Sequence, residues 1–195
     1  NGRGAGLASK VSFSSQEWCG HVYHQMLFDK DKVRYQSHSY FDGEADDSGK
    51  HTYPADGIAE DALFHWARGF AAPALKAGAK SKVKVLRSLE IARLLHVPVQ
   101  WEDAVLARSA KTSKIKVPAG EFEVYTMTAK IAAKRLWTFS VEAAWPHRII
   151  QWESSLGHKG SLLGSKRMKY WQLNRNGGES MLEKIGLKAR PKRHP

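Results

Sequence analysis

One cysteine, Cys19, stands among 195 residues. No disulfide can form within the chain, and zinc sites built from several thiolates are excluded. Long apolar runs are missing too: none approaches the ~20 residues that a membrane-spanning helix needs. Gly-x-Ser-x-Gly, Gly-x-Gly-x-x-Gly and His-Glu-x-x-His do not occur, which removes the commonest hydrolase, dinucleotide-binding and metalloprotease signatures. GHKGSLLGSK offers Gly-Ser-Lys where a phosphate loop requires Gly-Lys-Ser/Thr. The acids Asp42, Glu44, Asp46 and Asp47 open like a calcium loop, but Asp47 takes the place of the sixth-position glycine and Tyr53 that of the twelfth-position glutamate. The chain begins at Asn1 without an initiator Met, a charged leader or an apolar stretch, and is read as a mature or truncated form.

What is present suits one domain of ordinary size, able to bury roughly 70% of its unfolded surface. Residues 1–187 read as that domain and 188–195 as a basic tail. The formal net charge is +12, from 31 Lys and Arg against 19 Asp and Glu. Lys188, Arg190, Lys192 and Arg193 supply four of these charges in KARPKRHP. Elsewhere basic residues alternate singly with apolar ones, the pattern of a solvated strand face, although an anionic membrane surface also suits such a balance. Nucleic-acid binding is disfavoured, because no RNP-type or OB-like pattern accompanies the charge.

The dominant hydrophobic period is two. KVSFSSQEW, GHVYHQMLF and KVRYQSHSYF alternate and read as an antiparallel meander, with Val22, His24, Met26 and Phe28 on one face. DGEADDSGKHTYP reads as a loop. ADGIAEDALFHWARGF has helical spacing through Ile58, Ala62, Leu63, His65, Trp66 and Phe70, with Asp56 able to cap it and Gly69 to end it. Period two returns in SKVKVLRSLEI, with Val83, Val85, Leu89 and Ile91 on one face, and in VPVQWEDAVLARS, with Val99, Trp101, Val105 and Ala107. The strands around Val-Pro-Ala-Gly, the pair joined at Ala144-Trp145-Pro146 and a last strand in SKRMKYWQL follow, with a short helix from Ser180 to Ile185. The expectation is an all-β, mostly antiparallel domain: a curved sheet or β-barrel of about nine strands with one main α-helix.

Candidate chemistry centres on SSQEWCGHVYHQ. In a continuous strand Cys19 and His21 would share a face, the minimum for an activated thiol. Cys-Gly-His matches no protease signature, and free cysteine is among the most buried residue types. The structural reading of the segment, two strands meeting at a bend around Cys19-Gly20 with Trp18 and Val22 in the core, is therefore preferred. A Cys19–histidine hydrolase stands as the alternative. His21 and His24 point to opposite faces of a strand and His38 lies across the meander, so no metal site and no cofactor are expected. Seven Trp, seven Phe and six Tyr suggest a barrel core or an aromatic-lined cavity for an apolar or lipid-like ligand. Tyr23, His38, Trp101, Trp137 and Trp152 are the candidates to line it.

VPAGEFEVY, with RLWTFSVEAAWPHRIIQWE after it, resembles a bacterial family of unknown function. Its members carry a Val-Pro-Ala-Gly-x-Phe turn, a Trp strand and a Pro-x-Arg-Ile strand, matched here by Val117, Pro118, Ala119, Gly120 and Phe122, then Trp137, then Pro146, Arg148 and Ile149. SSQEWCGH and QSHSYF are similar to envelope proteins labelled "septum formation inhibitor Maf". They are unlike the true Maf nucleotide pyrophosphatases, whose strand–helix alternation is absent here. The resemblance implies an exported antiparallel β-barrel in the periplasm or at the outer membrane, and no established reaction.

Overall fold

The computed structural model describes residues 7–188; of the basic tail only Lys188 falls among them. The chain is mostly β, as its period-two patterning predicts, but the described residues build twelve strands in two sheets instead of about nine in one. The first sheet is the expected meander, β1 (Lys10–Glu17), β2 (Gly20–Phe28), β3 (Lys32–Ser39) and β4 (Asp46–Thr52), paired in that order. The fourth strand replaces the loop that its sequence predicts. Its turn formers carry little β preference of their own, yet it pairs with β3 over seven residues as an edge strand.

The second sheet holds β5 (Gly57–Ala59), β6 (Lys80–Leu86), β7 (Trp101–Arg108), β8 (Ser113–Val117), β9 (Gly120–Ile131), β10 (Arg135–Glu142), β11 (Ile149–Ser154) and β12 (Lys159–Ser161). Its order is β12-β11-β10-β9-β7-β6-β5, and β8 shares an edge of β9 with β7. All pairs are antiparallel except β5–β6. The sheet is open, with β12 and β5 at its two ends, so among the described residues no barrel closes. Pro118-Ala119 makes the two-residue turn between β8 and β9, with Gly120 at φ +132°, a conformation suited to glycine.

The one long helix resolves into shorter pieces. Gly57–Ala59 is strand, Glu60–Ala62 a 3-10 turn, and only Leu63–Ala67 is α-helical (α1), ended by Gly69 at φ +81°. A second helix, α2 (Leu89–Leu95), occupies residues whose alternation reads as strand. Its first turn is fixed from elsewhere in the chain: the Ser88 N–H donates to Glu60 Oε2 (3.1 Å) and Ser88 Oγ to Asp61 Oδ1 (2.9 Å). Ser88 is a residue type favoured at an N-cap, but its hydroxyl donates to Asp61 and makes no cap bond within its own helix. SKRMKYWQL forms no strand; Tyr170–Gln172 is a 3-10 turn with Trp171 exposed. The C-terminal piece is a 3-10 helix, Gly178–Ile185, with Gly177 rather than Ser180 at its N-cap.

The core lies on one face of the large sheet. Val83, Val85, Ala104, Leu106, Met127, Ala129, Ile131, Trp137, Phe139 and Val141 are buried against α1 through Leu63 and Trp66. On β7 the buried residues are Ala104 and Leu106, opposite in face to the predicted Val105, which is exposed. The chain reaches Val99 before the strand begins, so extending one alternation through Val99, Trp101 and Val105 selected the wrong face. A second cluster, Met26, Phe28, Val33, Tyr53, Leu86 and Leu89, joins the two sheets at a seam, and Ala62 packs against both clusters.

Candidate functional site

The residues picked out from the sequence do not converge. Register pairs Glu17 with Gly20, leaving Trp18 and Cys19 as a two-residue hairpin tip whose side chains project into solvent. Trp18 is fully exposed rather than core, and Cys19 is exposed too. Gly20, at φ +137°, lies so close to the Tyr40 ring that a Cβ would collide with it. Gly20→Ala is therefore expected to lower stability by about 1–3 kcal/mol; an unchanged urea midpoint would contradict this. His21 is exposed in β2 and shares no strand face with Cys19, which lies outside the strand.

Tyr23 and His38 are cross-strand neighbours on the outer face of the first sheet, stacked at 6.3 Å, with His38 Nδ1 2.7 Å from Asp46 Oδ1. Trp101 lies at the seam, edge-on to Tyr53 at 5.2 Å. Trp137 and Trp152 pack with Phe64 and Phe139 in the main core, and Trp137 Nε1 donates to Glu60 Oε1 (2.9 Å). The five aromatic and histidine candidates thus occupy three separate places, with side chains filling the space around the two tryptophans. Among the described residues no cluster of three or more His, Cys, Asp or Glu side chains is arranged to hold a metal ion.

A cavity forms between the inner face of the first sheet and α2. Its volume is about 400 Å³, within the usual range for small-ligand sites. Alternation places three rows on that inner face. Phe28, Val33 and His51 form one, Met26, Tyr35 and Gly49 the next, and His24, Ser37 and Asp47 the third. The first two rows merge into the seam. The third, with Tyr35 and His51, faces the cleft.

Opposite stand Leu89 and Ala92 of α2 and the extended Val97-Pro98-Val99 that follows it. Helix α2 ends at His96, in left-handed backbone at φ 49°, and His96 Nδ1 reaches Glu44 Oε1 at 2.8 Å across the mouth. Arg93, on the same helix, pairs with Glu17 and lies 4.1 Å over the Phe41 ring, which ties α2 to the hairpin end of the first sheet. One wall is therefore aliphatic and the other polar.

The polar wall has a defined charge state. Burial lowers the His24 pKa, with Glu44 opposing and Arg93 reinforcing that effect. Burial likewise lowers His51, against the pull of Asp47. Both imidazoles are therefore neutral at pH 7. The Tyr35 hydroxyl is raised, first by burial and then by the neighbouring Asp47 carboxylate, and stays protonated. His24 Nε2 is buried with no hydrogen-bond partner. Tyr35 can lie flat across β4 because its partner in register is Gly49, where a Cβ would meet the phenol ring.

His24 and Tyr35 were legible as members of alternating strands. Asp47 and His51 were not, because their strand looked like a loop, and the wall opposite belongs to a helix that looked like a strand. Comparison with protein-family models, with curated proteins and with solved structures finds no match to this chain.

Proposed function

We propose that this is a non-enzymatic binding protein of the cell envelope that holds an amphipathic, largely apolar molecule in the cleft between the first sheet and α2. The observation that carries the reading is the division of that cleft. Leu89, Ala92, Val97 and Val99 face His24, Ser37, Tyr35, Asp47 and His51. An apolar body gains by leaving water against the first wall, and polar head atoms find partners on the second. The interior of the large sheet is a poorer host, since Trp66, Phe139, Leu106 and Ile131 fill it without exposure. The envelope setting rests on the likeness of the Val117–Phe122 turn and the strands after it to exported β proteins.

Native mass spectrometry of protein purified without detergent tests the reading. A lipid-sized adduct is expected, either carried through purification or taken up from added amphiphiles. Ala92→Phe, which fills the cleft from α2, removes that adduct while the far-ultraviolet circular dichroism is kept. Retention of the adduct by the folded variant, or its absence from wild type in both conditions, would refute the assignment.

A further inference from the structure

The charge of the cleft runs against the charge of the chain. The protein carries +12, yet the cleft is lined by two carboxylates, Glu44 and Asp47, and by no Lys or Arg. Glu44 is engaged by His96 and Asp46 by His38, whereas among the described residues Asp47 pairs with no Lys or Arg. Arg93, behind the cleft, is matched by Glu17. The histidines on the sheet wall are depressed and neutral, so they add no positive charge at pH 7. Beside Asp47 the Tyr35 and His51 rings stack at 5.3 Å with 20° between their planes. A carboxylate without a cation beside two near-parallel rings is the arrangement that receives an ammonium group, by charge-assisted hydrogen bonding and by attraction to the ring faces. A carboxylate or phosphate head would meet two like charges there and no compensating cation.

Building on the proposed function, we propose that the bound amphiphile carries a protonated aliphatic amine and no anionic group, its ammonium held by Asp47 beside Tyr35 and His51 and its chain laid on Leu89, Ala92, Val97 and Val99.

Isothermal titration of the full chain with decylamine, decan-1-ol and decanoate at neutral pH tests this. Decylamine is expected to bind about tenfold or more tightly than the other two, the size of one close charge pair. Asp47→Asn is expected to bring it down to the affinity of decan-1-ol. Asp47 is exposed on an edge strand, so the variant keeps its fold. Equal or tighter binding of decanoate or decan-1-ol, blocked by Ala92→Phe, overturns the ammonium head while leaving the cleft as a ligand site. An unchanged preference in Asp47→Asn overturns it as well. Binding of none of the three overturns both the cleft as a ligand site and the head group assigned to it.

Discussion

Arg135→Met is expected to lower the unfolding free energy by about 3–5 kcal/mol, the cost of leaving a buried charge without its partner. Arg135 stands between two carboxylates. Its Nε and Nη2 reach Glu60 at 3.2 Å each, its Nη1 reaches Glu102 at 3.2 Å, and its Nη2 also pairs with Glu102. Arg87 joins from the other side, 3.0 Å from Glu102 Oε1, and donates to the Pro98 carbonyl at 2.6 Å. The side chain of Glu60 is 1% exposed, and those of Glu102 and Arg135 are 11%.

Burial alone would raise the Glu102 carboxyl; hydrogen bonds from Arg135 and Arg87 outweigh it and hold the pKa below the usual range. Two acids and two arginines alternate, so the set is neutral only when complete. Glu60 also accepts from Trp137 and from the N–H of Ser88, the residue before α2, so losing Arg135 disturbs the helix that walls the cleft. Chemical denaturation of wild type, Arg135→Met, Glu60→Gln and the Glu60→Gln/Arg135→Met pair provides the measurement. The double variant is expected to lose less than the two single changes together. A single-variant loss below 1 kcal/mol would show that the charges are hydrated rather than buried.

Asp61 governs the pH dependence of stability. It accepts from Ser88 Oγ, its Oδ2 is buried without a partner, and burial pushes its pKa up to about 6. The folded state thus keeps a proton that the unfolded chain releases near pH 3.8. Between those values the folded state binds more protons, so stability is full below the lower pKa and falls as pH rises through the upper one. A displacement of about two units corresponds to up to ~3 kcal/mol. Asp61→Asn is expected to remove this fall, so that its stability relative to wild type rises between pH 4 and 7 and it is the more stable of the two at pH 7. His24 and His51 act in the opposite sense. Their lowered values stabilise the fold above about pH 6.5, and that contribution is lost on acidification. The difference between wild type and Asp61→Asn isolates the aspartate, because both proteins carry the same histidines. Parallel stability curves from pH 4 to 7 would contradict the assignment.

Local chemistry made much of the architecture legible. Val22, His24, Met26 and Phe28 do share the inner face of β2, and the Pro118–Gly120 turn does start β9. The helix at Leu63–Ala67 does end at Gly69. Failures fall where another part of the chain supplies what the local residues lack. Leu89–Leu95 became helix because Glu60 and Asp61 satisfy its first turn. Asp46–Thr52 became strand because β3 offered it a ladder. Trp18 left the core because the register of β1 with β2 placed it at a tip.

Alternation along the chain by itself determined that this protein is built of antiparallel strands, since a period of two is a property of neighbouring residues. Only the tertiary structure decided that the sheet divides into two and stays open. It alone brought Asp47 of β4 opposite Ala92 of α2. Such a cleft is made by pairing and packing between residues distant in sequence, whose juxtaposition no local pattern encodes.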